Sequence, residues 1–319
     1  MWRYVAKRLL WLLVIMVCVA MLIFTVMWFV PGDPAQIILG SGVPQADIIA
    51  LREKMGLNDP FLVQLGRYMR DTFLRFDFGT SYVYKVPVIE EFARRLPRTL
   101  ALGLISVIMN TAIGIPLGVS AAIHRNSFQD QGLLFFAMIF ISVPQFWLAL
   151  MMVVLFSLKL AWLPPSGIEG WQSWIMPILA NSLSGIAINA RQTRSAVLET
   201  IRADFVTTAR AKGLEERKVI YKHMLPNALI PIINGLGMQL AMVIGGTVVI
   251  ESVFSFPGIG TYMLTGVQSR DYPVIRSCVL ILAVCAALIT LAVDLVYAFL
   301  DPRIKAQYVN YAAKKGGKK

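Results

Sequence analysis

Six stretches of this chain are apolar and free, or nearly free, of charge: 9–30, 99–123, 132–158, 175–190, 228–250 and 277–300. A helix needs about 20 such residues, rising 1.5 Å each, to cross a hydrocarbon core about 30 Å thick. Within lipid, backbone N–H and C=O groups find no water, so a lone apolar segment must close its own hydrogen bonds as a helix. Five of the stretches reach that length. The fourth is shorter and carries Asn181, Ser182, Ser184, Gly185 and Asn189, so it is expected to pack inside a bundle. The expected fold is all-α, a polytopic membrane protein with six transmembrane helices. At 57% hydrophobic and 15% charged over 319 residues, the chain is too apolar for an ordinary soluble domain, where about 25% is charged, and far too apolar for disorder.

The net charge of +12 would suggest nucleic acid in a soluble protein, but here its distribution decides. With an inner N-terminus, the inner termini and loops hold eighteen basic residues and the short outer loops hold three, Lys159, Arg270 and Arg276. Positive residues stay on the cytoplasmic side, so both ends are expected there, with no nucleic-acid partner. The 31–98 segment, with nine basic and eight acidic residues, is long enough to cross whatever its charge. The apolar run at 9–30 exceeds a signal-peptide core and lacks a small-x-small site after it, so it reads as an uncleaved first span. Cys18, Cys278 and Cys285 all lie in apolar runs, an odd count that argues against a disulfide framework.

The expected organisation is an N-terminus and first span (1–30), a helical extracytoplasmic cap (31–98), a five-helix core (99–300) with a cytoplasmic loop at 191–227, and a basic tail (301–319). In the cap, 44–55 starts on Pro44, sets Ile48, Leu51 and Met55 on one face and stops at Gly56. The stretch 60–76 spaces Phe61, Leu65, Met69, Phe73 and Phe76 as a helix does. A third cap helix, 87–96, places Glu90 and Glu91 early and Arg94 and Arg95 late, in the sense of the helix dipole.

The 191–227 loop reads as two short helices hinged on a glycine. Asp204 is a good N-cap for 205–212, with Arg210 and Lys212 in its last turn. Gly213 falls where a left-handed residue ends a helix. Glu215 and Glu216 open a second helix, Lys218, Lys222 and His223 close it, and Pro226 is expected to prevent its continuation. A compact basic hairpin between spans is either a docking element or a solvated loop that obeys the inside bias.

Here a resemblance becomes specific. Residues 209–214 (Ala-Arg-Ala-Lys-Gly-Leu), His223 and 225–228 (Leu-Pro-Asn-Ala) resemble the cytoplasmic loop of ATP-binding-cassette importer permeases. That family's pattern is Glu-Ala-Ala, three residues, Gly, nine residues, Ile-x-Leu-Pro. Ala209, Gly213, Leu225 and Pro226 match its spacing, whereas Thr207 and Thr208 stand for Glu-Ala and His223 for Ile. The departures resemble the dipeptide/oligopeptide branch. So do Pro31–Gly32–Asp33–Pro34, Phe78–Gly79–Thr80–Ser81, Glu251–Ser252–Val253–Phe254, Phe256–Pro257–Gly258–Ile259–Gly260, Arg270–Asp271–Tyr272–Pro273, and Val293–Asp294–Leu295 through Leu300–Asp301–Pro302–Arg303. The resemblance implies a type I importer permease in the bacterial inner membrane. It would work by alternating access with a second permease, two ATPases and a solute-binding protein. ATP and Mg would reside on the ATPases. The loop would insert in an ATPase cleft, with Ala209, Gly213 and Leu214 as docking core and Arg210, Lys212 and Glu215 at the rim.

The chain has no G-x-x-x-x-G-K-[ST], H-E-x-x-H or G-x-S-x-G, so no phosphate loop, zinc-protease or nucleophile-elbow reading holds. It is expected to be no enzyme and to bind no cofactor or metal. Asn234, Gln239, Thr247 and Gln145 are candidate pathway-lining residues, because lipid offers them no partner. Asp294, an acid within a span, would be the ion-coupling group of a rival reading, a secondary transporter. It lies six residues from the inner helix end, where pairing with Arg303 is the structural alternative.

Overall fold

In the computed structural model, residues 2–300 are described, except Ser41. The helices in chain order are α1 (Trp2–Phe29), α2 (Pro34–Leu39), α3 (Gln45–Met55), α4 (Phe61–Leu74), α5 (Val88–Ile123), α6 (Phe128–Ser142) and α7 (Gln145–Met152). They continue with α8 (Gln172–Thr200), α9 (Asp204–Ala211), α10 (Glu216–Lys218), α11 (Leu225–Gly246), α12 (Val248–Val253), α13 (Ile259–Gln268) and α14 (Tyr272–Leu300). Wide π-turns extend α7 (Val153–Lys159) and α10 (Val219–Met224). No strand occurs among the described residues beyond one bridge, Thr80 to Pro87. The tail at 301–319, with Arg303, lies outside the described residues.

Among the described residues, three helices are long and apolar enough to cross a membrane: Arg8–Phe29, Val88–Ile123 and Tyr272–Leu295. Two bent pairs raise that number to five. The stretch expected as one span at 132–158 is broken. α6 and the α7 arm meet at 100°, because Pro144 lacks an N–H and holds Val143 extended (φ −76°, ψ 127°). The fourth stretch forms α8, longer than expected and too polar to qualify by composition. The third cap helix, 87–96, does not stand alone. It is the start of α5, which runs through Pro97 into the expected second span.

Two compact units divide the chain, and they do not follow the segment boundaries read from sequence: residues 1–99 with 257–291, and residues 100–256 with 292–319. In the first, α4 lies on α1 through Phe24, Trp28, Phe61 and Tyr68, with ring centroids 5.3–5.7 Å apart. Phe76, expected on the α4 face, instead lies past its end, exposed and at φ 53°. Fully buried Asp271 accepts the Ser81 hydroxyl (2.6 Å) and the Val83 N–H (3.1 Å), which anchors the Thr80–Pro87 turn beside the start of α14.

In the second unit α8 is the central post, packed against α6, α7 and α11. It buries Ser182, Asn189, Ala190 and Thr193. α5 meets it along a glycine stripe: a Cβ on Gly114 would stand 2.8 Å from the Ile186 carbonyl, and one on Gly118 would collide with the Ala190 carbonyl. Such small-x-x-x-small stripes let helix backbones approach where lipid removes the hydrophobic driving force between them. Asp130, buried, forms a two-pronged bridge to Arg194 (Nη2–Oδ2 2.8 Å), tying the start of α6 to α8. Gly118→Leu is therefore expected to lower thermal stability in detergent sharply. Gly132→Ala, whose Cβ meets nothing within 4 Å, should leave stability unchanged or raise it by up to about 1 kcal/mol. Paired melting curves read both.

Candidate functional site

α9 ends as its sequence requires. Gly213 adopts φ 73°, its N–H donates to the Arg210 carbonyl (2.9 Å), and the Leu214 N–H donates to the Ala209 carbonyl (3.4 Å). That 5→2 and 6→1 pair is the Schellman closure of a helix. A left-handed residue with a Cβ costs about 1–2 kcal/mol here, although nothing crowds the position. The helix start differs from expectation. Ala203 is the N-cap and Asp204 is the first helical residue, with no capping bond. Asp204 still places negative charge in the first turn, where the dipole favours it.

Arg210 reaches across the glycine hinge to Glu216 with two hydrogen bonds, 2.5 and 3.1 Å. The guanidinium holds the Glu216 carboxyl below its usual range. Both groups are exposed, so this clasp contributes at most about 1 kcal/mol. The stronger bond is apolar. Val206 and Ala209 of α9, Val219, Ile220 and Met224 of the π-turn, Ala228 of α11, Val197 of α8, and Val119 and Ala122 of α5 form one buried cluster. Each fully buried Val or Met adds about 1.5–3 kcal/mol. The hairpin is thus fused to the ends of three long helices.

Two expectations change. Ala209 faces this internal core, 6% exposed, so its side chain packs within the joint rather than on the hairpin's outward face. Pro226 does not end the second helix: the chain runs from the π-turn directly into α11, with Pro226 in its first turn. First-turn N–H groups have no intrahelical acceptor, so proline is tolerated there. The outward face carries Arg210, Lys212, Gly213, Leu214 and Glu215. Phe205 and Tyr221, 43% and 59% exposed, join Leu214 as apolar projections that the sequence reading did not single out.

A groove of about 320 Å³ lies between α5, α8 and α11. Asn110, Asn181, Gln192, Gln239 and Thr247 line it, and among the described residues no ionisable side chain does. The Gln239 amide donates to Asn189 (2.5 Å) and the Gln145 amide to Asn181 (2.8 Å). With its amide oriented to satisfy both ends, Asn110 donates to the Ser106 and Ser182 carbonyls, 2.9 Å each. Gln239 and Thr247 thus line the groove directly, and Gln145 supports it through Asn181. The side chain of Asn234 lies outside the described residues. Asp294 is half-buried on α14, far along the chain from this set. A further buried acid, Glu251 on α12, accepts the Thr247 hydroxyl (3.0 Å). No cluster of metal-binding side chains occurs among the described residues.

Comparison with known proteins places this arrangement. Residues 114–306 match the binding-protein-dependent transport system inner membrane component, and residues 1–103 match the N-terminal component of the same systems. The chain belongs to this family. The permease is 41% identical over 308 residues to the glutathione transport system permease protein GsiC of Salmonella paratyphi A, covering 96% of this chain and 99% of that one. It is 38% identical over 333 residues to the dipeptide transport system permease protein DppB of Alkalihalophilus pseudofirmus, covering 96% and 100%. In fold it resembles an inward-facing structure of the MetNI methionine ABC transporter (TM-score 0.57, 20% identity, 66% of this chain and 96% of that one). The permease is a transport subunit of an ABC importer, not an enzyme. In this family ATP belongs to separate ATPase chains, and a solute-binding protein serves the system.

Met224→Ala should cost about 2–5 kcal/mol and Arg210→Ala less than about 1 kcal/mol, both read by amide exchange across 205–224. Glu216 has a lowered folded pKa, so its contribution is fully present above the unfolded value near 4.3 and is lost as pH falls through the folded one. Glu216→Gln should therefore loosen the hairpin at pH 7 and have no effect in strong acid.

Proposed function

We propose that this permease forms half of the transmembrane path of an ATP-driven importer of short peptides or glutathione, paired with a second, similar permease and two ATPases. Both termini face the cytoplasm. The single observation that carries the coupling role is the buried cluster joining the Gly213 hairpin to α5, α8 and α11. A displacement imposed on the hairpin by an ATPase cannot be absorbed locally, because a close-packed core moves as a body. Leu214, Phe205 and Tyr221 supply the apolar docking contacts, with Arg210, Lys212 and Glu215 around them.

Peptide cargo is favoured by the relatives' named substrates and by the chemistry of the groove. Carboxamides both donate and accept, so they suit a peptide backbone whatever charge its side chains bear.

The test is co-reconstitution of the permease with its partner permease, ATPases and binding protein in vesicles. ATP-dependent uptake of labelled dipeptide or glutathione is expected. Gly213→Val should reduce it at least tenfold while insertion and assembly persist. Uptake by the permease alone, driven by an ion gradient and lost in Asp294→Asn, would overturn the reading.

A further inference from the structure

We propose that two adjoining cavities around Arg276 form one site for a zwitterion, an anionic group beside an ammonium, and that its occupant is the headgroup of phosphatidylethanolamine. The cavities, about 220 and 350 Å³, share Phe24, Leu57, Gln64, Tyr82 and Arg276. All belong to the unit of residues 1–99 and 257–291. The site is independent of what the permease carries; only its assignment to the outer leaflet rests on the proposed orientation.

Arg276 is held but not neutralised. Its guanidinium lies 5.4 Å from the Phe24 ring centre and 5.3 Å from that of Tyr68. Its Nε makes one long bond, 3.4 Å, to the Tyr272 carbonyl. The other two arginines in the walls are paired, Arg52 with Asp33 (3.5 Å) and Arg67 with Asp59 (2.5 Å). Arg276 has no ion pair among the described residues. It therefore offers a fork of donors to a phosphate or carboxylate. Burial holds the phenols of Tyr68 and Tyr82 up, so both stay neutral near pH 7, and Tyr82 borders both cavities.

The opposite charge is also present. Asp33 borders one cavity, and Asp71 and Asp77 the other. Asp71 is engaged by Arg70 and Arg75, and Asp77 by the Gly79 N–H. A carboxylate has about four acceptor sites, which leaves room for an ammonium. The depth favours a lipid over a soluble zwitterion. Arg276 immediately precedes the apolar run at 277–300, and Phe24, Met27 and Trp28 belong to the last turns of α1, the level where headgroups and aromatic belts lie. Beside them Leu22, Val26 and Phe29 are exposed and offer an apolar flank for acyl chains. A dipeptide has no chains to place there.

Native mass spectrometry of the assembled complex, with phosphatidylethanolamine, phosphatidylglycerol or dialanine added in turn, tests the site. Phosphatidylethanolamine should be retained in preference to phosphatidylglycerol. Arg276→Met should cut its retention about tenfold or more, and Arg276→Lys, which keeps the charge but loses the stacked fork, should retain only part of it. Tyr82→Phe keeps the packing while removing one hydroxyl, and should weaken retention severalfold; it carries the test if Arg276→Met fails to assemble. Equal retention of the two lipids, or retention indifferent to both Arg276→Met and Tyr82→Phe, overturns the site. Arg276-dependent binding of dialanine without lipid retention overturns the lipid as occupant.

Discussion

Nine apolar side chains where the Gly213 hairpin meets α5, α8 and α11 are the joint on which the proposed coupling rests. The visible polar link, Arg210 to Glu216, lies in water and is worth little. Dispersion and burial make the joint instead, and they are insensitive to salt and to small rotations of a surface side chain. A hairpin held by charges alone would flex against its partner. One set into a core carries the long helices with it.

The lipid environment accounts for much of the rest. Because hydrocarbon gives no reward for apolar contact between helices, α5 and α8 adhere through glycines and buried hydroxyl and amide groups. The same demand for polar satisfaction gathers Asn110, Asn181 and Gln239 along one groove. On the proposed reading, side chains that glue the bundle would also furnish a neutral surface for a peptide backbone.

The apolar stretches, the glycine stop at Gly213 and the polar character of α8 were legible from residues alone, since each is a local property of composition or backbone. Prolines were harder. Pro144 breaks its span, whereas Pro97 lies within α5 and Pro226 within the first turn of α11. Pro226 falls in a first turn, where N–H groups have no intrahelical acceptor, whereas Pro97 gives up one hydrogen bond inside a long helix that continues past it. Ala209 was misread for a related reason: a small residue on a short amphipathic helix gives no sign of which neighbour will cover it. The Asp130–Arg194 bridge had only one cue, opposite charges flanking successive apolar stretches.

By itself, the sequence determined that this is a helical membrane chain with a basic, self-stopped hairpin, because hydrophobic length, charge placement and glycine φ freedom act over a few residues. It also determined family membership, through motifs spread along nearly the whole chain. Tertiary structure decided which face of the hairpin is buried, which amides share a groove, and that Arg276, among the described residues, pairs with no acid while Arg52 and Arg67 do. Those outcomes depend on side chains tens to hundreds of residues apart meeting at ångström distances, which no local pattern encodes.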